Sequence, residues 1–155
     1  MPKTRSTNPD ARLTWYAWMR AQTALLQLFE RELEAGCGMS LAYYDVLILL
    51  WQQPGHAMRM SELADRVLLS RSWLTRRIDQ MEAQGLVERC ALASDGRVVQ
   101  AKLTAKGVRA FVRAERVHAR SIEQHFSTQL SARQIATLRE IVEKLDDRTR
   151  AMLRS

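Results

Sequence analysis

The sequence predicts a mainly α (α+β) fold, a winged helix-turn-helix with long N- and C-terminal helices that form a dimerisation region. Three observations predict it. Between residues 60 and 103, two short amphipathic segments precede two β-prone runs with an Asp-Gly pair between them. Both ends of the chain carry apolar stripes at helical spacing, wider than a single neighbouring helix would cover. Hydroxyl and guanidinium side chains collect on one face of the second amphipathic segment and again near the tip of the predicted hairpin.

The run Ser-Glu-Leu-Ala-Asp-Arg-Val at 61–67 places Leu63, Ala64 and Val67 on one helix face. Ser70 supplies the N-cap of the next helix, because its hydroxyl can accept from a backbone N–H that has no partner within the helix. There Leu74, Ile78 and Met81 recur at i, i+4 and i+7 and form the buried side. At about 100° per residue the opposite side carries Ser72, Thr75 and Arg76, with Arg71 and Arg77 on its flanks. No acid lies between Asp65 and Asp79, whereas Arg66, Arg71, Arg76 and Arg77 all do. An apolar back and a hydroxyl-and-guanidinium front suit a helix lying in a DNA major groove, since Arg can donate a bidentate pair to guanine. Taken alone, the same pattern also fits a solvated face on an ordinary helical bundle.

The following residues decide between the two. Gly85 ends the helix in the left-handed conformation that helix C-termini favour. Residues 86–90 and 98–103 read as strands joined by Ala-Leu-Ala-Ser-Asp-Gly-Arg, with Asp95-Gly96 as the turn signal and Arg97 near the tip. From Asp95 to Glu115 the chain carries Arg97, Lys102, Lys106, Arg109 and Arg113 with no acid between, a stripe that would draw in phosphate and release counterions.

These residues resemble the MarR type of regulator. The likeness lies in Ser-Glu-Leu-Ala-Asp-Arg-Val, in Ser-Arg-Ser-Trp-Leu-Thr-Arg-Arg-Ile-Asp-Gln-Met-Glu-Ala-Gln-Gly-Leu-Val-Glu-Arg, in the wing Asp95-x-Arg97, and in Leu103-Thr104-x-Lys106-Gly107. It runs in order over almost the whole chain. It implies a homodimeric transcriptional regulator, expected to be a repressor, that binds double-stranded DNA and responds to a small aromatic, phenolic or oxidising effector. One departure lies in the turn, where Leu68 holds a place usually given to glycine. Positive φ there would cost on the order of 1–2 kcal/mol, so a different local turn geometry is expected.

The chain in order supports one globular protein in three parts: 1–39, an N-terminal arm and first dimerisation helix; 40–103, the winged helix-turn-helix lobe; and 104–155, C-terminal dimerisation helices. At 155 residues and 46% apolar content it can bury a real core, and its net charge of +7 argues for a polyanionic partner. No run approaches the ~18 apolar residues of a membrane span, and two cysteines make no disulfide framework, so a cytoplasmic, nucleoid-associated protein is expected. Residues 1–10 are polar and read as an arm. Residues 11–35 read as a long helix with Trp18, Gln22, Leu26, Phe29 and Leu33 on one line and Trp15, Leu25 and Leu28 beside it. Gly36-Cys37-Gly38 breaks it, Ser40 caps a nearly all-apolar helix at 41–52, and Pro54-Gly55 ends that one. Thr104 is expected to cap a helix reaching about residue 126, and Ser131-x-x-Gln134 is a capping box opening the last helix. In that helix Ile135, Leu138, Ile141, Val142 and Leu145 make the stripe expected to be buried, continuing toward Met152. The economical use of the end helices is to interleave with a second copy.

Individual roles follow. The DNA-binding candidates are Ser70, Arg71, Ser72, Trp73, Thr75, Arg76, Arg77 and Arg97. Among them Arg76, Thr75 and Ser72 are expected at base edges, Arg71 and Arg77 on phosphates, and Arg97 in the minor groove, with Asp95 supporting the wing. Trp73 is expected to pack sideways against the wing. An effector pocket is expected at Trp15, Trp18, Arg20, Tyr43 and Tyr44, with ordinary core or interface packing as the alternative. Cys90, beside Arg89, is a minor redox candidate. The oxidation-sensing branch of the family places its cysteine in the first helix, which here has none before Cys37. His118 and His125, with His56 elsewhere, show no metal-ligand spacing, so no metal and no cofactor are expected. No nucleophile motif, phosphate-cradling glycine loop or paired carboxylate appears, and no enzyme is expected. A nonspecific architectural DNA binder remains the competing use of the same charge.

Overall fold

The computed structural model describes residues 9–67, 71–92 and 95–153. The described residues divide into two compact units at 118/119. In the first, α1 (Pro9–Cys37) opens the chain, with Asp10 in its first turn opposing the positive end of the helix dipole. Only its C-terminal part is buried: Phe29 and Leu33 enter the core, whereas Leu13, Trp15, Tyr16, Trp18, Met19 and Leu26 stay exposed.

Ser40 caps α2 (Leu41–Trp51) as expected, its hydroxyl accepting from the Tyr43 N–H at 3.3 Å. Tyr44, Val46, Leu47 and Leu50 are buried there, which is why α2 reads as apolar nearly all round. A single turn at Pro54–His56 leads into β1 (Ala57–Arg59). This strand is absent from the sequence reading, because three residues carry no period-2 signal and the strand exists only through distant pairing. Ala57, Met58 and Arg59 lie opposite Lys102, Ala101 and Gln100.

Then come α3 (Met60–Arg66) and α4 (Arg71–Ala83), whose Leu74, Ile78 and Met81 are fully buried along one stripe. Gly85, at φ +68, ends α4 while the Leu86 N–H reaches back to the Met81 carbonyl at 2.9 Å. The turn between α3 and α4, with Leu68 and Ser70, lies outside the described residues.

β2 (Val87–Leu92) and β3 (Asp95–Leu103) form the hairpin, and the sheet order is β1-β3-β2. The turn differs from expectation. Leu92 pairs with Asp95, so Asp95-Gly96 begins β3 instead of making the turn. Ala91 pairs with Val99, which leaves 96–98 as a bulge in β3 with Arg97 at its middle. An Asp-Gly pair that usually marks a hairpin loop here serves the irregularity beside it.

Thr104 caps α5 (Ala105–His125): its hydroxyl accepts from the Gly107 N–H at 3.0 Å and donates to the Gly85 carbonyl at 2.7 Å. One side chain thus joins the start of α5 to the end of α4. Lys106 adds a second tie, Nζ to the Gln84 carbonyl at 2.7 Å. Ala110, Phe111 and Ala114 complete the core of this unit.

In the second unit the predicted capping box opens α6 (Ala132–Leu153). The Gln134 side chain accepts from the Ser131 N–H at 2.8 Å, and the Ser131 hydroxyl accepts from the Gln134 N–H at 3.3 Å. The apolar stripe of α6, expected to meet a second copy, lies open in the single chain. Ile135 and Leu138 are half-covered, but Ile141, Val142, Leu145 and Met152 are exposed, Leu145 by 60%. Periodicity tells which side of a helix is apolar, not what covers it, and among the described residues nothing covers this side.

Candidate nucleic-acid interface

The buried stripe of α4 faces the core, so the opposite side of the helix faces out. Ser72, Thr75 and Arg76 are exposed there, as the spacing predicts. Ser70 lies outside the described residues, as do the side chains of Arg71, Asp95 and Arg97; the backbone of Asp95 and Arg97 lies in the bulged start of β3.

Arg77 and Trp73 have other company than expected. The Arg77 guanidinium sits over two rings, 4.5 Å from the Trp73 centroid and 5.1 Å from that of Tyr43. Such cation–π contacts hold the side chain at the junction of α4 with α2. Trp73 borders α2 and α3. With Ala42, Asp45, Ile48, Leu49, Arg66 and Val67 it lines a hollow of about 440 Å³, and it packs on the core.

The sequence reading missed a residue that joins the hairpin to α4. Arg89 on β2 reaches Asp79 Oδ1 at 2.6 Å, Glu82 Oε2 at 2.5 Å and the Thr75 carbonyl at 3.4 Å. Its backbone N–H donates to Glu82 Oε1 at 2.9 Å. Burial works against the guanidinium charge, but its hydrogen bonds to the accepting carboxylates of Asp79 and Glu82 outweigh that and hold the group above its ordinary value. The signal was present as two acids three residues apart on α4, but nothing local says they face a strand. Cys90, the next residue on β2, lies in a different setting. Successive strand residues point to opposite sides, and Arg89 is engaged by carboxylates, while Cys90 Sγ lies 4.0 Å from the Gln100 carbonyl.

The basic stripe is likewise partly engaged. Lys102 lies 3.8 Å from Glu88 and Lys106 caps α4, while Arg109 and Arg113 are exposed.

The five residues assigned to an effector pocket are placed apart. Tyr44 is buried, donating from its hydroxyl to Glu115 Oε2 at 2.5 Å; burial and that carboxylate raise its phenol well above the ordinary value. Its ring faces Phe111 and His118. Tyr43 instead accepts from Gln84 Nε2 at 3.1 Å beneath Arg77. Trp15 and Trp18 are exposed on α1, and Arg20 lines a shallow surface hollow there with Met19, Thr23, Ala24 and Gln27. A larger cavity of about 710 Å³, lined by Leu26, Gln27, Glu30, Arg31, Leu41, Ala42 and Asp45, contains none of the five. Among the described residues no three His, Cys, Asp or Glu side chains cluster as metal ligands, and no single helix is long and apolar enough to cross a membrane.

Comparison with known proteins places this architecture. The model of the MarR family matches residues 39–99. A protein of Thauera aromatica, described as a transcriptional regulatory protein for the hcr operon, is 30% identical over 126 residues, 81% of this chain and 74% of the relative. AbsC, a MarR family transcriptional regulator from Streptomyces coelicolor, is 27% identical, with a TM-score of 0.88 over 96% of this chain and 99% of AbsC. Sco3205, a MarR family transcriptional regulator from the same organism solved in complex with DNA, is 28% identical, with a TM-score of 0.87 over 95% and 92%. The chain belongs to the MarR family, and is a transcriptional regulator rather than an enzyme.

Proposed function

We propose that the protein is a homodimeric repressor that binds a pseudo-palindromic operator through α4 and the β2–β3 wing and leaves it when a small aromatic or anionic effector binds. The observation that carries this reading is the exposed Ser72, Thr75 and Arg76 side of α4, held outward by the buried Leu74, Ile78 and Met81. Similarity to Sco3205, solved with DNA, supports the same use of the fold. Arg76 and Thr75 read base edges, Arg71 and the exposed Arg109 and Arg113 meet phosphates, and Arg97 enters the minor groove. A regulator of transcription works at the nucleoid, in the cytoplasm.

Dimerisation is supported by two apolar surfaces left open: Trp15, Trp18 and Leu26 on α1, and Ile141, Val142 and Leu145 on α6. Exposed patches of this kind mark interaction sites, and a two-fold pairing would present two copies of α4 one helical turn apart, ~10 bp. The same pairing would cover Trp15 and Trp18, giving an effector flat apolar walls. An effector acts by binding more tightly to the dimer whose reading helices are wrongly spaced.

The test is competition between a selected duplex and poly(dI-dC). Specific reading gives a preference of ~10³-fold or more, whereas equal affinity would make the protein a nonspecific architectural binder.

A further inference from the structure

We infer that Arg89 is a positioning residue for DNA reading: from the wing it fixes the rotation of α4, and with it where Thr75 and Arg76 point. The inference rests on the DNA-binding reading above. It concerns a cation that, by charge and by its place at the foot of the wing, would ordinarily be assigned to phosphate.

The geometry assigns it elsewhere. Thr75, Asp79 and Glu82 follow one another at i, i+4 and i+7, a line along two turns of α4 displaced one residue from the buried stripe of Leu74, Ile78 and Met81. Arg89 touches all three members of that line through the carbonyl of Thr75 and the two carboxylates, and the backbone N–H of Arg89 adds a fourth bond. Contacts at one point would leave the helix free to roll; contacts strung along it do not. A side chain extends roughly 6 Å from the helix axis, so a roll of about 20° would displace its tip by ~2 Å. Base-edge hydrogen bonds tolerate only a few tenths of an ångström about their optimum. The packed stripe decides which side of α4 faces the core, and the forked N–H···O bonds, being directional, fix its roll more finely. Arg89 has a second effect. Asp79 and Glu82 are the first acids beyond the acid-free stretch of α4, and Arg89 offsets their repulsion of phosphate without meeting DNA.

The experiment uses the full-length protein and a duplex recovered by the wild type from random-sequence DNA. The variant is Arg89→Gln combined with Glu82→Gln, which breaks the tie at unchanged net charge. Affinity for the selected duplex should fall about tenfold, the worth of one good bidentate base contact, while affinity for poly(dI-dC) and the salt slope stay as in the wild type. Without DNA, amide exchange across residues 71–83 should quicken. Arg89→Lys keeps the charge but cannot fork between both carboxylates, and should recover part of the selectivity; it also serves if the double variant does not fold. Unchanged selectivity in the folded variant would overturn the inference. So would joint loss of selected-duplex and poly(dI-dC) binding with a shallower salt slope in the double variant, which would make Arg89 a phosphate contact. A loss accounted for by the unfolded fraction in a thermal melt would reduce it to a stability residue. If the wild type itself recovers no preferred duplex, the DNA-reading proposal fails separately, and the exchange rates still decide whether Arg89 holds α4.

Discussion

Replacing Gly107 by alanine tests whether the close approach at the start of α5 is real, because two effects of opposite sign meet there. Helix propensity alone favours alanine over glycine by about 1 kcal/mol. A Cβ at Gly107 would, however, lie 1.9 Å from the Leu86 carbonyl oxygen, 2.9 Å from its carbon and 3.5 Å from Leu103 Cδ2. Carbon and oxygen sit comfortably at about 3.3 Å, so one backbone must retreat by roughly 1.4 Å. The obstacle is a main-chain carbonyl, which no rotamer change can move aside. That carbonyl also accepts from the Thr104 N–H at 3.1 Å and from the Thr104 hydroxyl at 3.3 Å. Overpacking of this kind costs about 1–3 kcal/mol, and each weakened hydrogen bond about 1 more. After the propensity gain, the net destabilisation is roughly 2–4 kcal/mol, a fall in Tm of about 5–15 °C for a chain of this size. Calorimetry on Gly107→Ala beside wild type reads it. Gly85→Ala is the comparison: with only Lys106 Cδ at 3.9 Å, its strain comes from φ alone, about 1–2 kcal/mol. A Gly107→Ala protein that melts at or above the wild-type temperature would refute the reasoning.

Three further outcomes are expected. Leu145→Asp places a charge in the open stripe of α6 and should convert a dimer to monomers in sedimentation at micromolar concentration; a wild-type monomer would remove the dimer proposal. Arg97→Ala should weaken operator binding several-fold, and unchanged affinity at every salt concentration would exclude insertion in the minor groove. Stability should also fall with acid through His118. Burial between Phe29 and Tyr44, only partly opposed by Glu115, lowers its pKa, and among the described residues its Nδ1 has no hydrogen-bond partner. The unfolded chain then binds the proton more readily, so stability is undiminished above pH ~6.5 and declines as pH drops through that value toward the lower folded pKa. In His118→Phe, urea titrations should lose that part of the decline; an identical pH profile would assign it to other groups.

Much of the architecture was legible because its signals are local. Ser40, Thr104 and the Ser131–Gln134 pair cap helices as read, Gly85 ends α4, and the spacing of Leu74, Ile78 and Met81 predicts the buried side and hence the outward Ser72, Thr75 and Arg76. What was missed depends on partners distant in sequence. β1 exists only by pairing with β3, and Arg89 takes its meaning from carboxylates on α4. Trp73 borders α2, a neighbour distant in sequence. The hairpin turn moved because Gly96 serves a bulge as readily as a loop. The exposed stripe of α6 awaits a cover that periodicity cannot name.

The most direct measurement is selection of bound duplexes from random-sequence DNA by the full-length protein, followed by titration of the recovered site. Two copies of α4 related by a two-fold axis should enrich an inverted repeat with half-sites ~10 bp apart, bound by two chains per duplex. Recovery of unrelated sequences, or of a single unsymmetrical site filled by one chain, would contradict the account.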